Sequence, residues 1–100
     1  MSVVHIAEPE AWAAARTSGL YKAESLADDG FIHFSRWDQL PRTAEAYYSG
    51  VPDLVVLVVD PSGLPFRVEN GFPHLYSELP VSAVTEVMPL DEALERAAAS

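Results

Sequence analysis

Three histidines carry the first chemical signal in this chain. His5 lies in Val-Val-His-Ile, His33 in Phe-Ile-His-Phe-Ser and His74 in Phe-Pro-His-Leu-Tyr. Each is a polar residue between apolar neighbours. Imidazole can donate and accept a hydrogen bond at once, move a proton near neutrality, grip a pair of hydroxyls or bind a metal. Side chains along a strand alternate between its faces, so a histidine set between core residues is expected to point away from them, into a cleft or into solvent. Three such positions on one small sheet can converge. Each one alone also suits a half-buried histidine whose ring is satisfied internally.

The other polar candidates divide in the same way. Ser35 suits a ligand hydroxyl or phosphate at a helix start, and suits a plain N-cap as well. Tyr76 can stack on a ring or donate its hydroxyl, or pack in the core with that hydroxyl bonded. Arg16, Arg36, Arg42 and Arg67 are candidate anion clamps or solvated surface charges. Glu69 and Glu78 flank the His74 segment, where either can act as a general base or stand as an exposed carboxylate. A metal is not expected, because no two histidines stand at a local ligand spacing and there is no cysteine. A Gly-rich phosphate loop and a Gly-x-Ser-x-Gly elbow are also missing from the sequence.

The elements that must hold these residues can be read from periodicity. Val3 to Ile6 predicts a short strand. Pro9 suits the first position of a helix running to about Ser18, with Trp12, Ala15 and Arg16 on one side and Gly19 as a left-handed cap followed by Leu20. Tyr21 to Gly30 reads as a polar connection and Phe31 to Phe34 as a strand. Ser35 with Asp38 resembles a capping box ahead of a second helix that Gly50 stops. Pro41 requires that helix to bend or its regular part to begin late. Of the pair Tyr47 and Tyr48, at most one is expected to face inward. Leu54 to Asp60, apolar on both faces, predicts the central strand of a covered sheet. Phe66 to Glu69 alternates as a half-exposed strand does, and Asn70-Gly71 marks a turn. Val84 to Met88 predicts a last strand, and Asp91 a cap for a helix over Glu92 to Ala98. Ala97 to Ser100 are expected to fray. The order favours α+β, with small mixed or antiparallel sheets and two or three short helices.

The 100 residues suit one domain spanning 1–100. Fifteen acidic residues against six basic ones argue against a nucleic-acid partner, which clustered Lys and Arg would grip. The same acidity leaves room for a small nucleotide-like ligand. The start of the chain lacks the pattern of a signal peptide and no apolar run is long enough to span a bilayer, so a cytoplasmic protein, monomeric or weakly dimeric and without a membrane partner, is expected.

Several of these segments together carry a resemblance. Val-His-Ile at His5, Trp12 with Gly19-Leu20, Gly30-Phe-Ile-His-Phe-Ser35 and Phe72-Pro-His-Leu-Tyr76 resemble the bacterial family called domain of unknown function 952, from His5 to about Pro89. That family is similar in fold to the ADP-ribosyltransferases, and the first half here also looks like their RNA 2′-phosphotransferase branch. The resemblance implies an ADP-ribosyltransferase-like fold with NAD or an ADP-ribose-like compound as cofactor, and transfer or cleavage at the nicotinamide ribosyl bond. It implies that His5 contacts a ribose hydroxyl and that His33 and Ser35 lie beside the nicotinamide ribose or a phosphate. His74 with Tyr76 would fall where many transferases keep a catalytic glutamate. His74, His33 and Glu78 are then the expected catalytic residues, and His5, His33, Ser35, Tyr76 and Arg36 the nucleotide-binding ones. Two departures stand out. His74 occupies the point of that glutamate, with Glu78 a little beyond, and Val4 precedes His5 where the RNA-processing branch has an arginine. Removal of an RNA 2′-phosphate is therefore not expected. The alternative to an enzyme is a non-catalytic metabolite-binding module or an interaction domain.

Overall fold

The long apolar run organises the molecule. In the computed structural model, which describes residues 2–99, it forms β4 (Val55–Val59) at the centre of an antiparallel sheet of order β1-β4-β8. β1 (Val3–Ala7) pairs along its whole length on one side, Val3 opposite Val59 and Ala7 opposite Val55. β8 (Val84–Pro89) lies on the other side, with a register shift between Val58 and Val59. Period-two alternation divides this sheet between two cores. Val3, Ala7, Leu57 and Val59 face one of them; Val4, Ile6, Val56, Val58 and Met88 face the other.

The first core is closed by α1 (Pro9–Ser18) and by a second antiparallel sheet of order β3-β6-β5. α1 forms as its sequence predicts. Pro9 opens it, Ala15 is buried, and Gly19 at φ 89° turns the chain out of it, donating to the Ala15 carbonyl at 2.7 Å. The second sheet consists of β3 (Ile32–His33), β6 (Phe72–Leu75) and β5 (Phe66–Glu69). Its inner face gives Ile32, Phe34, Leu75 and Phe66 to the core. A two-stranded ladder of β2 (Leu20–Tyr21) with β7 (Leu79–Pro80) adds Tyr21 and Leu79. The second core is covered by α3 (Leu40–Tyr48) and α4 (Leu90–Ala99).

Several expectations need correction. The stretch read as a polar connection contains β2 and a one-turn helix, α2 (Glu24–Asp28), so the described residues hold four α-helices rather than two or three. β2 and β7 are two-residue ladders that carry no periodic signal of their own. Ser35 does not open a capping box with Asp38; the Arg36 N–H donates to Gln39 Oε1 at 2.9 Å instead. A 3₁₀ turn over Trp37–Gln39 precedes α3, so Pro41 falls in the first turn of the regular helix, where its missing N–H removes no bond. Asp91 sits inside α4, which starts one residue earlier at Leu90. Ala97 packs against the second core and α4 continues through Ala98 and Ala99, so these three are not frayed, while Ser100 lies outside the described residues. No helix among the described residues is long and apolar enough to cross a membrane.

Candidate functional site

The two larger sheets meet at one backbone bridge. The Val4 N–H donates to the Ser35 carbonyl and the Ser35 N–H to the Val4 carbonyl, both at 2.8 Å. A cleft of about 600 Å³ opens along this seam, within the range of roughly 300–1,000 Å³ usual for small-molecule sites. α3 contributes Thr43, Tyr47 and Tyr48 to its walls, and the β5–β6 hairpin contributes Glu69, Asn70 and Phe72. His5, His33 and His74 all line it, so three distant stretches of chain bring their imidazoles to one place.

Their surroundings differ. β1 is buried on both faces, so His5 does not point away from the core; it points into it, beside Tyr21 and Phe34. Both ring nitrogens are taken. A carbonyl can only accept, so Nδ1–H donates to the His33 carbonyl at 2.6 Å, and Nε2 accepts from the Tyr21 hydroxyl at 2.7 Å. Burial lowers the His5 pKa to about 4, against an opposing pull from the bond to the His33 carbonyl. Burial likewise raises the Tyr21 pKa. His5 is thus a neutral, internally satisfied ring with no nitrogen left for the ribose hydroxyl expected of it.

His33 and His74 obey the strand rule. They are direct cross-strand partners on β3 and β6, and while Ile32 and Leu75 go to the core their rings project together from the other face. The ring centroids are 5.6 Å apart, edge to face. Each imidazole has a carboxylate beside it. His33 Nε2 lies 3.3 Å from Asp29 Oδ2, and His74 Nδ1 lies 3.8 Å from Glu69 Oε1, too far for a hydrogen bond. His33 is exposed, whereas His74 is buried and its Nδ1 has no hydrogen-bond partner. Phe31 stacks on His74 at 4.1 Å, nearly parallel, and meets His33 edge-on at 4.7 Å. Burial and the neighbouring His33 lower the His74 pKa, and Glu69 partly offsets them.

The remaining candidates scatter. Ser35 lines the cleft and shares a 3.1 Å hydrogen bond with the Thr43 hydroxyl. Tyr76 lies beside Phe31 with the Arg67 guanidinium 5.3 Å over its ring, and it is not part of the cleft wall. Arg36 is not among the lining residues; Asp38 and the Gly71 carbonyl hold it, each at 3.0 Å. Glu78 pairs with Lys22 at 2.9 Å, away from the wall; the carboxylate that lines the cleft is Glu69. Tyr48 packs against the second core while Tyr47 is exposed, as expected of a pair of which at most one can face inward, and both border the cleft. Thr43 and Tyr21 gave no motif signal, and Phe31 entered only as part of the Gly30-Phe-Ile-His-Phe-Ser35 segment. Phe31 stands two residues before His33, and that alternation alone places it on the histidine face. Among the described residues no group of three or more His, Cys, Asp or Glu side chains is arranged to hold a metal ion.

A family model described as "Protein of unknown function (DUF952)" matches residues 6–87. The chain belongs to the DUF952 family. Its fold is similar to that of CC0527 from Caulobacter crescentus. Two crystal structures of that protein, one of them a double mutant, superpose at TM-scores of 0.79 and 0.80 with 32% identity, covering 89% of this chain and 85% of that one. Its solution NMR structure gives a TM-score of 0.73 at 35% identity, covering 87% and 82%. No curated protein matches the chain. These likenesses establish a DUF952 domain with a small α+β architecture of antiparallel sheets.

Proposed function

We propose that the seam cleft of this DUF952 domain binds an NAD- or ADP-ribose-type nucleotide and acts on its nicotinamide ribosyl bond, within an ADP-ribosyltransferase-like fold. The observation that carries the reading is the facing pair His33 and His74, in one cleft with the Ser35–Thr43 hydroxyl pair and the Glu69 carboxylate. The resemblance of the His5, His33 and His74 segments to the ADP-ribosyltransferases points the same way.

The roles follow from what each group has left to give. His33 and the hydroxyls of Ser35 and Thr43 orient the ribose, which removes part of the entropic cost of reaction. The Phe31–His74 stack is a flat wall for a planar ring. When the C1′–N bond breaks, its electron pair goes to the nicotinamide nitrogen and the ribose becomes oxocarbenium-like. Glu69 is the carboxylate on hand to stabilise that charge, a role first expected of Glu78. Water or an acceptor hydroxyl then adds at C1′ and gives up its proton to Glu69 or to an imidazole. His5 acts from behind, fixing the His33 backbone through its carbonyl, and touches no ligand. Tyr76 supports Phe31, and Arg36, bonded to the Gly71 carbonyl of the hairpin turn, is the cation assigned to a phosphate.

Incubating the protein with NAD and measuring free nicotinamide by chromatography tests the reading. Release that falls at least roughly a hundredfold in Glu69→Gln and is unchanged in Glu78→Gln is the expected result, in keeping with the weight of a charge-stabilising group. Binding without release identifies a non-catalytic module. No thermal stabilisation by millimolar NAD, ADP-ribose or nicotinamide contradicts the reading.

A further inference from the structure

The cleft wall has a charge signature that selects which part of a ligand it receives. Phe31, Tyr47, Tyr48 and Phe72 bring aromatic rings to it, Glu69 brings a carboxylate, and none of the lining residues is Lys or Arg. The faces of aromatic rings are negative and attract cations, most strongly weakly hydrated organic ones. Glu69 adds a full negative charge, and the surplus of acidic residues over the whole chain adds a longer-ranged field of the same sign. Glu8 is felt as far inside as Tyr48, whose hydroxyl is held above its usual pKa first by burial and then by that carboxylate. A phosphate within these walls would meet the Glu69 carboxylate with no Lys or Arg beside it to offset the repulsion.

We infer that the group received between these walls is a soft organic cation, a delocalised or alkylated nitrogen rather than an anion or a neutral ring. The inference rests on the nucleotide reading for its first source of such a cation. The pyridinium ring of an oxidised nicotinamide nucleotide carries one, and the reduced ring does not. The phosphates of that nucleotide then lie outside, on the Arg36 side of the hairpin. An alkylated ammonium group offers the same chemistry from a second source.

Calorimetric titration of the whole chain with 1-methylnicotinamide, neutral nicotinamide and tetramethylammonium tests this. 1-Methylnicotinamide should bind roughly tenfold or more tightly than nicotinamide, and Glu69→Gln should abolish that preference. Tyr47 is 78% exposed, so Tyr47→Leu should fold normally and weaken the cation several-fold. Tetramethylammonium binding more weakly than 1-methylnicotinamide supports the pyridinium source, and binding more tightly supports the ammonium source. Equal affinity for charged and neutral nicotinamide, binding of neither cation, or a preference that survives Glu69→Gln overturns the inference. NAD and NADH separate it from the reading beneath. Equal binding of the two sinks the charge preference alone; binding of 1-methylnicotinamide with none of NAD sinks the nucleotide reading alone.

Discussion

His5 shows how much of a residue's role depends on which face of a strand is buried. Its ring is neutral, desolvated and bonded at both nitrogens, and its folded pKa of about 4 lies below the unfolded value near 6.5. Between those values the unfolded chain binds a proton that the folded one refuses, so stability rises with pH through this window. The stabilisation is fully present above pH 6.5 and is lost on acidification towards pH 4. The gap corresponds to about 3 kcal/mol. Urea unfolding across this window should show that loss in the wild type and a much flatter profile in His5→Asn, which has no group to protonate. At pH 7, Tyr21→Phe should cost about 1–3 kcal/mol, because it leaves His5 Nε2 buried without a donor. Chevron or equilibrium denaturation reads this directly, and a neutral result would contradict the hydrogen bond between Tyr21 and His5. At this scale the sequence was half legible. Alternation in β3 and β6 correctly places His33 and His74 on a common outer face. The same rule fails for His5, since β1 alone does not reveal that α1 and a second sheet cover one of its faces while α3 and α4 cover the other.

At the scale of elements, the β5–β6 hairpin carries Glu69, Asn70 and Phe72 to the cleft. Its two-residue turn, Asn70 at φ 53° and Gly71 at φ 82°, has positive φ at both central positions, as type I′ turns require. That geometry matches the right-handed twist of the strands, and Asn-Gly is the dipeptide that tolerates it. Gly71→Ala should therefore destabilise by about 1–2 kcal/mol through conformation alone, since a Cβ there meets nothing within 4 Å. Thermal unfolding measures the cost, and loss of amide protection confined to 69–72 would locate it. The turn, α1 and β4 were legible because each has strong local chemistry: Asn-Gly, Pro and Gly at two helix ends, and an unbroken β-branched run. β2, α2 and β7 were not, because elements of two to five residues are held by their partners rather than by their own pattern.

At the scale of the molecule, the cleft exists because two sheets share a core yet, among the described residues, touch by backbone only at Val4 and Ser35. Leu57, fully buried in that shared core, should cost about 2–5 kcal/mol on substitution by Ala, measured by denaturant unfolding. The contribution of α3 to the site was not legible. Thr43, Tyr47 and Tyr48 reach the cleft through packing of that helix across the first sheet, a relation no local pattern encodes.

The account as a whole claims that imidazoles from three stretches of chain serve one ligand pocket. Two-dimensional NMR of the labelled protein titrated with NAD tests this most directly. Saturable shifts centred on Phe31, His33, Glu69 and His74, with Lys22 and Glu78 silent, are the predicted result. No shifts at millimolar NAD, or shifts centred on the separate pocket around Asp60, Ser82 and Thr85, would contradict it.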